Sequence, residues 1–357
     1  MKLYIRFITS EFFKSLIYVF FIMFSLILVL NILSEFEFFR DKEVVTVLPI
    51  YMALLNTPDL IFEMFPFIFL LTTQIFFINF FENNQIQVFK YSGLKNLKII
   101  TIIATSTVII GILIIIFFYS ISSILKGNYL QLKSKYSSDD QYLAVVTKNG
   151  LWIKDYIDEK IYIINASEIE NNNILDVFIS EFDNNFKLQR NFKSKKVDIS
   201  KKTWQLNDVT VFKDYENQKL QKLTLNSNFD IEIVNNLFSN LSTQSIYKLL
   251  QQRNNYMALN YSTIEIDIQI QKLFTYPVYL ALMTILSAII MFNTKRYKNS
   301  TFKIVLGLFL SVIIYYFNNF FHVMGASEKI PVIVSILAPL FLLLFINTTM
   351  ILNINEK

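Results

Sequence analysis

A chain of 357 residues that is 54% hydrophobic is too apolar for an ordinary water-soluble protein. It has no cysteine and one histidine, which excludes disulfide frameworks, thiol nucleophiles and most zinc or triad chemistry. Its net charge of +5 comes from lysines and arginines scattered among acids, which marks a solvated surface and not a nucleic-acid-binding stripe.

The segment Met1–Lys14 alternates aromatic and basic residues (Tyr4, Arg6, Phe7, Phe12, Phe13, Lys14) and reads as an interfacial helix running into the first of six apolar stretches. These stretches lie at about Leu16–Ser34, Leu60–Phe81, Ile99–Leu125, Leu273–Phe292, Ile304–Met324 and Ile330–Leu352. Each is near or above the ~20 residues that a helix needs to cross a ~30 Å hydrocarbon core. Lipid leaves no partner for unpaired backbone groups, so such stretches must be helical. The first lacks a small-residue cleavage site and reads as a retained span. Thr57-Pro58-Asp59 reads as the start of span two, Thr57 capping the helix and Pro58 occupying its first turn. Glu63 and Pro66 fall inside that span.

The connection Glu82–Gly93 places Ile86, Phe89 and Lys90 at helical spacing, and Gly93 ends the helix. It reads in two ways: as a short helix projecting an apolar face towards a partner, or as an interfacial helix lying on lipid.

The polar block that follows predicts strands at Gln141–Lys148, Leu151–Lys154, Lys160–Asn165, Ile174–Phe182, Lys193–Ile199, Trp204–Lys213 and Lys219–Leu225, separated by turn residues. A helix over Ser242–Gln252, capped by Ser242, leads back to the membrane. The expected fold is thus an α-helical membrane protein with six transmembrane helices and an extracytoplasmic all-β, jellyroll-like domain inserted between helices three and four. The expected domains are residues 1–125, 126–264 and 265–357. Lysines and arginines gather beside the termini, the connection between spans two and three, and that between spans four and five, so these face the cytoplasm and the β-domain lies outside.

Several polar residues fall at span ends or within spans. Arg40 and Lys42 read either as phosphate-recognising cations at headgroup depth or as interfacial side chains snorkelling beside Glu37, Asp41 and Glu43. Glu63 reads as a solvated carboxylate, and His322 as a satisfied interfacial residue or a headgroup contact. Trp152 and Trp204 read as the interior of the β-domain.

Pro58…Phe65-Pro66, Asn84-Gln85 and Ser92-Gly93 resemble the second-span and coupling-helix signature of the LptF/LptG family of lipopolysaccharide export permeases. Gly150-Leu151-Trp152-Ile153-Lys154-Asp155 resembles the family's first jellyroll strand motif, and Asp183…Leu188…Asp198…Trp204-Gln205-Leu206 its later strands. Pro277 and Ile330-Pro331…Pro339 match its fourth and sixth spans. The resemblance covers essentially the whole chain, and the Gly-Leu-Trp-x-Lys-Asp strand and Thr-Pro-Asp segment look closer to the LptG member.

The resemblance implies the membrane part of an ATP-binding-cassette exporter in the bacterial inner membrane. A homologous LptF-like permease, a dimeric LptB-like cytoplasmic ATPase and a single-span LptC-like jellyroll protein are its implied partners, and lipopolysaccharide its cargo. It implies no enzyme activity and no cofactor in this chain, ATP being bound by the ATPase. With six glycines in all, no Gly-rich phosphate loop ending in Gly-Lys-Ser/Thr can be read. It also implies that Glu82, Gln85, Phe89, Lys90 and Gly93 form the ATPase-coupling segment.

There are two departures from the family pattern. Gln85 stands where the family usually carries a glutamate that pairs with an ATPase arginine, so Glu82 takes that part or the interface is less charged. Asn31 falls near a first-span lysine that contacts lipid phosphate in some members, which leaves Arg40, Lys42 and His322 as headgroup candidates. Outside the family, the layout also suggests a lipoprotein-release or cell-division type permease, which usually has four spans, or a membrane enzyme acting on envelope lipids.

Overall fold

A computed structural model of the chain describes residues 3–136, 151–157, 159–170, 172–213, 216–231, 233–234, 240–258, 261–292 and 300–355. The strand expected at Gln141–Lys148 and the turn at Asn149-Gly150 lie outside these residues. Two compact units emerge, one of residues 1–129, 244–246 and 264–357, the other of residues 130–243 and 247–263.

The first unit is helical. Its elements are α1 (Leu3–Phe38), α2 (Val47–Glu82), α3 (Gln85–Tyr91), α4 (Asn96–Leu113) and the start of α5 (Ser120–Ser134), then α7 (Ile264–Phe292), α8 (Ser300–Ala326) and α9 (Val332–Asn355). A π-helical turn, Ile114–Tyr119, joins α4 to α5. Six helical stretches are long and apolar enough to cross a membrane, with α4 and α5 forming one of them. α1 and α2 have 36 residues each, about 54 Å of helix. They pack along an aromatic seam in which Phe7 meets Phe80, Phe12 meets Phe76 and Phe20 meets Phe65, at centroid separations of 6.0–6.4 Å. On α4, a side chain at Gly111 would meet the Pro277 backbone at 3.0 Å, so glycine allows α4 and α7 to approach closely.

α2 begins at Val47, so Thr57 and Pro58 are not its start. Pro58 and Pro66 are internal, and each removes an N–H that the carbonyl four residues earlier would otherwise accept. Pro66 thereby releases the Phe62 carbonyl, and the buried Tyr276 hydroxyl of α7 donates to it. The two rings also stack at 4.7 Å. Beside the Pro58 break, the Ala53 carbonyl accepts from the Thr57 hydroxyl at 2.6 Å and from the Asn31 amide at 2.9 Å.

Asn31 opens a buried polar network across three helices. The Asn56 amide donates to Asn31 Oδ1 (3.2 Å), and Lys126 Nζ of α5 donates to Asn56 Oδ1 (2.7 Å) while lying 3.2 Å from Asp59. One turn along α5, the Tyr129 hydroxyl donates to the buried Glu35 carboxylate of α1 at 2.7 Å. Lys126 thus lies within the membrane unit, although the sequence pattern ends span three at Leu125.

The second unit is built on one antiparallel sheet. β1 (Leu151–Ile157), β2 (Lys160–Ala166), β4 (Asn173–Phe182), β5 (Leu188–Asp198), β6 (Thr203–Lys213) and β7 (Glu216–Asn226) are neighbours in that order, and β3 (Glu168–Glu170) pairs with β4. Strict alternation on β1 sends Leu151, Ile153 and Asp155 to the core face, with Trp152 and Lys154 opposite. Trp204 is fully buried, and its indole N–H donates to the Phe229 carbonyl at 2.7 Å. Trp152 is 60% exposed, so the expectation that both tryptophans form the interior is corrected for this one.

Three departures stand out along this unit. β5 begins at Leu188 rather than Lys193, β7 begins at Glu216, and β3 was not anticipated. The later helix, α6, runs Ile246–Ala258. Ser242 does not cap it, because its hydroxyl and amide both donate to Asn240 Oδ1 in a separate 3₁₀ turn.

Buried Asp155 explains the acid that ends the first strand motif. It accepts hydrogen bonds from the Ser227 hydroxyl, the Asn228 amide and side chain, and the Tyr156 amide, all at 2.8–3.0 Å. It fastens β1 to the segment after β7. Glu181, 2% exposed, receives Lys160 at 2.9 Å and Arg190 at 2.6 Å. Burial pushes its carboxyl up, but the hydrogen bonds and charges of the two cations outweigh this and hold it below the usual glutamate range.

Two outcomes follow from these networks. Lys126→Met strands the buried Asp59 carboxylate and should destabilise the helical unit by about 3–5 kcal/mol, whereas Lys126→Met with Asp59→Leu should recover most of that. Helical circular dichroism during thermal melts in detergent measures both. For Glu181, the depressed folded pKa supplies stability above its unfolded value that is lost as pH falls through the folded one. The melting temperature of the sheet should therefore fall below about pH 4.5, and Glu181→Gln should flatten that part of the curve.

Candidate functional site

Hydrogen bonds from Tyr276 to the Phe62 carbonyl and from Ser287 to the Leu70 carbonyl join α7 to α2, and a polar pocket opens beside the first. Glu63 follows Phe62 on α2, and Lys272 lies one turn before Tyr276 on α7, so both side chains reach the same cavity. Tyr315, Asn318, Asn319 and His322 follow one another at helical i, i+3, i+4 and i+7 spacing on α8 and supply the facing wall. Ile336 and Leu340 of α9 close the apolar side. The cavity measures about 130 Å³.

Glu63, Lys272, Asn318, Asn319 and His322 make no hydrogen bond or close ion pair through their side chains with any described residue. Thr275, by contrast, donates back to the Gln271 and Lys272 carbonyls of its own helix. A charged side chain within a span costs roughly 2.5–3.5 kcal/mol on insertion scales unless it meets water, a partner or a ligand. These charged and amide groups converge on one cavity and are open to its surroundings, Glu63 and Asn319 being exposed and Lys272, Asn318 and His322 half-buried. His322 and Glu63 come together here. Lys272 was missed because it stands immediately before the apolar stretch that begins at Leu273, where an interfacial cation is ordinary. The polar stripe on α8 was the available signal.

The segment between α2 and α4 ends in a Schellman motif. Gly93 has φ +79°, and the Leu94 and Gly93 amides donate to the Phe89 and Lys90 carbonyls, each at 2.9 Å. Glu82 is the last residue of α2 and not part of α3. Ile86 is buried, and Phe89 stacks on Phe80 at 5.6 Å and sits 6.0 Å from Phe7. The expected outward apolar face thus turns inward, because the phenylalanine seam of α1 and α2 continues down to it. Val88 and Tyr91 are the apolar residues left exposed, beside Gln87 and Lys90. Gln85 lines a groove with Leu3, Tyr4, Phe7, Val88 and Phe89.

Arg40 is exposed just past the end of α1, and Lys42 Nζ lies 3.5 Å over the Phe38 ring, a cation–π contact. Neither lines the pocket that holds His322. Among the described residues there is no cluster of three or more His, Cys, Asp or Glu that could hold a metal ion.

No curated protein matches the chain. The family model described as "Lipopolysaccharide export system permease LptF/LptG" matches residues 6–353, from the first turns of α1 to the last of α9 and across the whole β-sheet. With nearly its full length inside that match, the chain belongs to the LptF/LptG family of lipopolysaccharide export permeases.

Proposed function

We propose that this chain is one half of the membrane part of an ATP-binding-cassette exporter that takes lipopolysaccharide from the bacterial inner membrane and passes it towards the outer membrane. The observation that carries the reading is the family match, which joins all six candidate spans and the β-sheet in a single unit of descent. The other half is a homologous LptF-like permease, this chain taking the LptG-like place. α8 supports such pairing, since only 11% of its apolar window is buried within the chain. The positive charges flanking the spans support cytoplasmic termini and a periplasmic β-domain.

The β-sheet is the part of a jellyroll that hands the lipid on. β7 supports this, because it ends the sheet as an exposed edge to which another β-domain can add strands. The single-span LptC-like jellyroll protein is the proposed recipient. A dimeric LptB-like ATPase docks on the opposite side, where Val88 and Tyr91 project from a short helix held rigidly by the phenylalanine seam. Gln87 and Lys90 make that contact polar without a carboxylate, and Glu82 stands at its border.

Depletion of the protein should halt arrival of newly made lipopolysaccharide at the outer membrane, and undiminished arrival would refute the reading. Tyr91→Ala should weaken ATPase co-purification by roughly tenfold or more, the effect of losing ~1.4 kcal/mol at an aromatic contact. Phe89→Leu, directed inward, should lower thermal stability instead. Co-purification that responds to Phe89 and ignores Tyr91 would place the ATPase elsewhere.

A further inference from the structure

We propose that the pocket between α2, α7, α8 and α9 binds a lipid headgroup that carries both a phosphate and a primary amine. Lys272 and His322 face the phosphate, and Glu63 faces the amine. The inference goes beyond the export reading, since it concerns which headgroup chemistry the bundle selects.

The argument starts from two opposite charges that line one cavity without closing on each other. Lys272 and Glu63 are close enough to interact electrostatically, yet no ion pair forms between them. Elsewhere in the same bundle Lys126 and Asp59 do close, at 3.2 Å. An open pair separated by a cavity suits a ligand that is itself a dipole. A purely anionic headgroup would meet Glu63 as a like charge, which costs about 4 kcal/mol at 4 Å and an effective dielectric of 20. A primary amine removes that repulsion and supplies N–H donors to the carboxylate.

The remaining walls fit the same ligand. The side-chain amides of Asn318 and Asn319 donate to phosphate oxygens, and the Tyr279 and Tyr315 rings give an ammonium an aromatic surface. Tyr276 takes no part, since its hydroxyl is already committed to the Phe62 carbonyl. Lys272 directly precedes the apolar stretch of α7, and His322 lies one turn before the end of α8, which sets the site at headgroup depth. A volume of about 130 Å³ takes a phosphoethanolamine-type group and leaves acyl chains outside.

The test uses the full chain co-purified with its membrane partners in detergent and stripped of lipid. Native mass spectrometry follows its titration with short-chain phosphatidylethanolamine or phosphatidylglycerol. The wild type should bind the ethanolamine lipid about tenfold more tightly. Glu63→Gln should bring that lipid down to the glycerol lipid, and Lys272→Gln should weaken both. Neither side chain makes a hydrogen bond or close ion pair with a described residue, so unchanged melting temperatures verify that both variants fold. Equal binding of the two lipids by the wild type, or an unaltered preference in Glu63→Gln, would overturn the proposal. So would chemical cross-linking of Glu63 or Lys272 to a partner subunit.

Adding the exported glycolipid bearing a phosphoethanolamine group then separates the two sources of this chemistry. Displacement of the ethanolamine lipid assigns the site to cargo, and persistence assigns it to the bilayer; both uphold the headgroup class. Loss of lipid preference with lipopolysaccharide export intact would remove this inference and leave the export reading standing. Normal outer-membrane lipopolysaccharide after depletion, with the preference intact, would do the reverse.

Discussion

A backbone carbonyl left without its amide in a hydrocarbon interior has to find another donor, and that requirement organises the membrane half of this protein. Pro66 creates such a carbonyl at Phe62, and the Tyr276 hydroxyl answers it from α7. With the Ser287 hydroxyl donating to the Leu70 carbonyl at 2.7 Å, that bond joins α7 to α2. Lys272 and Glu63 line one cavity beside it. Near Pro58, Asn31 of α1 and Thr57 both donate to the Ala53 carbonyl. Pro66 thus provides an attachment point for a neighbouring helix.

The bundle holds polar side chains in two contrasting conditions. Around Asn31, Asn56, Asp59 and Lys126, hydrogen bonds and one ion pair join three helices. Such groups are costly to remove singly and specify which helices sit together. Glu63, Lys272 and His322 make no hydrogen bond or close ion pair through their side chains with any described residue. The difference separates a fastening from the proposed binding site more clearly than residue type does, since each cluster contains one lysine and one acid near each other.

Much of this was legible from one dimension. Hydropathy located all six spans, alternation located the strands from β1 to β7 apart from the short β3, and Gly93 marked the end of α3. Hydropathy marks where a helix meets lipid, not where it begins, so α2 extends to Val47 and Thr57-Pro58 was misread as its start. The rule that proline favours a first turn holds only where the preceding residues are not helical. Lys126 was assigned to the polar block because its partners lie far away in sequence and only folding brings them near. Trp152 reads as interior only as an isolated large aromatic, whereas the period of β1 gives that side to Leu151 and Ile153. Phe89 turned inward for a reason no local pattern contains, because its partners Phe7 and Phe80 come from two other helices.

The π-helical turn at Ile114–Tyr119 has a consequence for how this span tolerates insertion and deletion. Such a turn accommodates one residue more than an α-helix does, and each residue in a helix advances the azimuth by about 100°. Everything after it in α5 is therefore phased differently from α4. Loss of one residue there would turn the wide turn into an ordinary α-helical one and leave Lys126 and Tyr129 facing Asp59 and Glu35. Loss of one residue from the regular part of α4 would instead swing both away by about 100°. Two sequences with equally convincing third spans could thus differ by one isoleucine, and the position of that isoleucine would decide whether the span is still fastened to its neighbours.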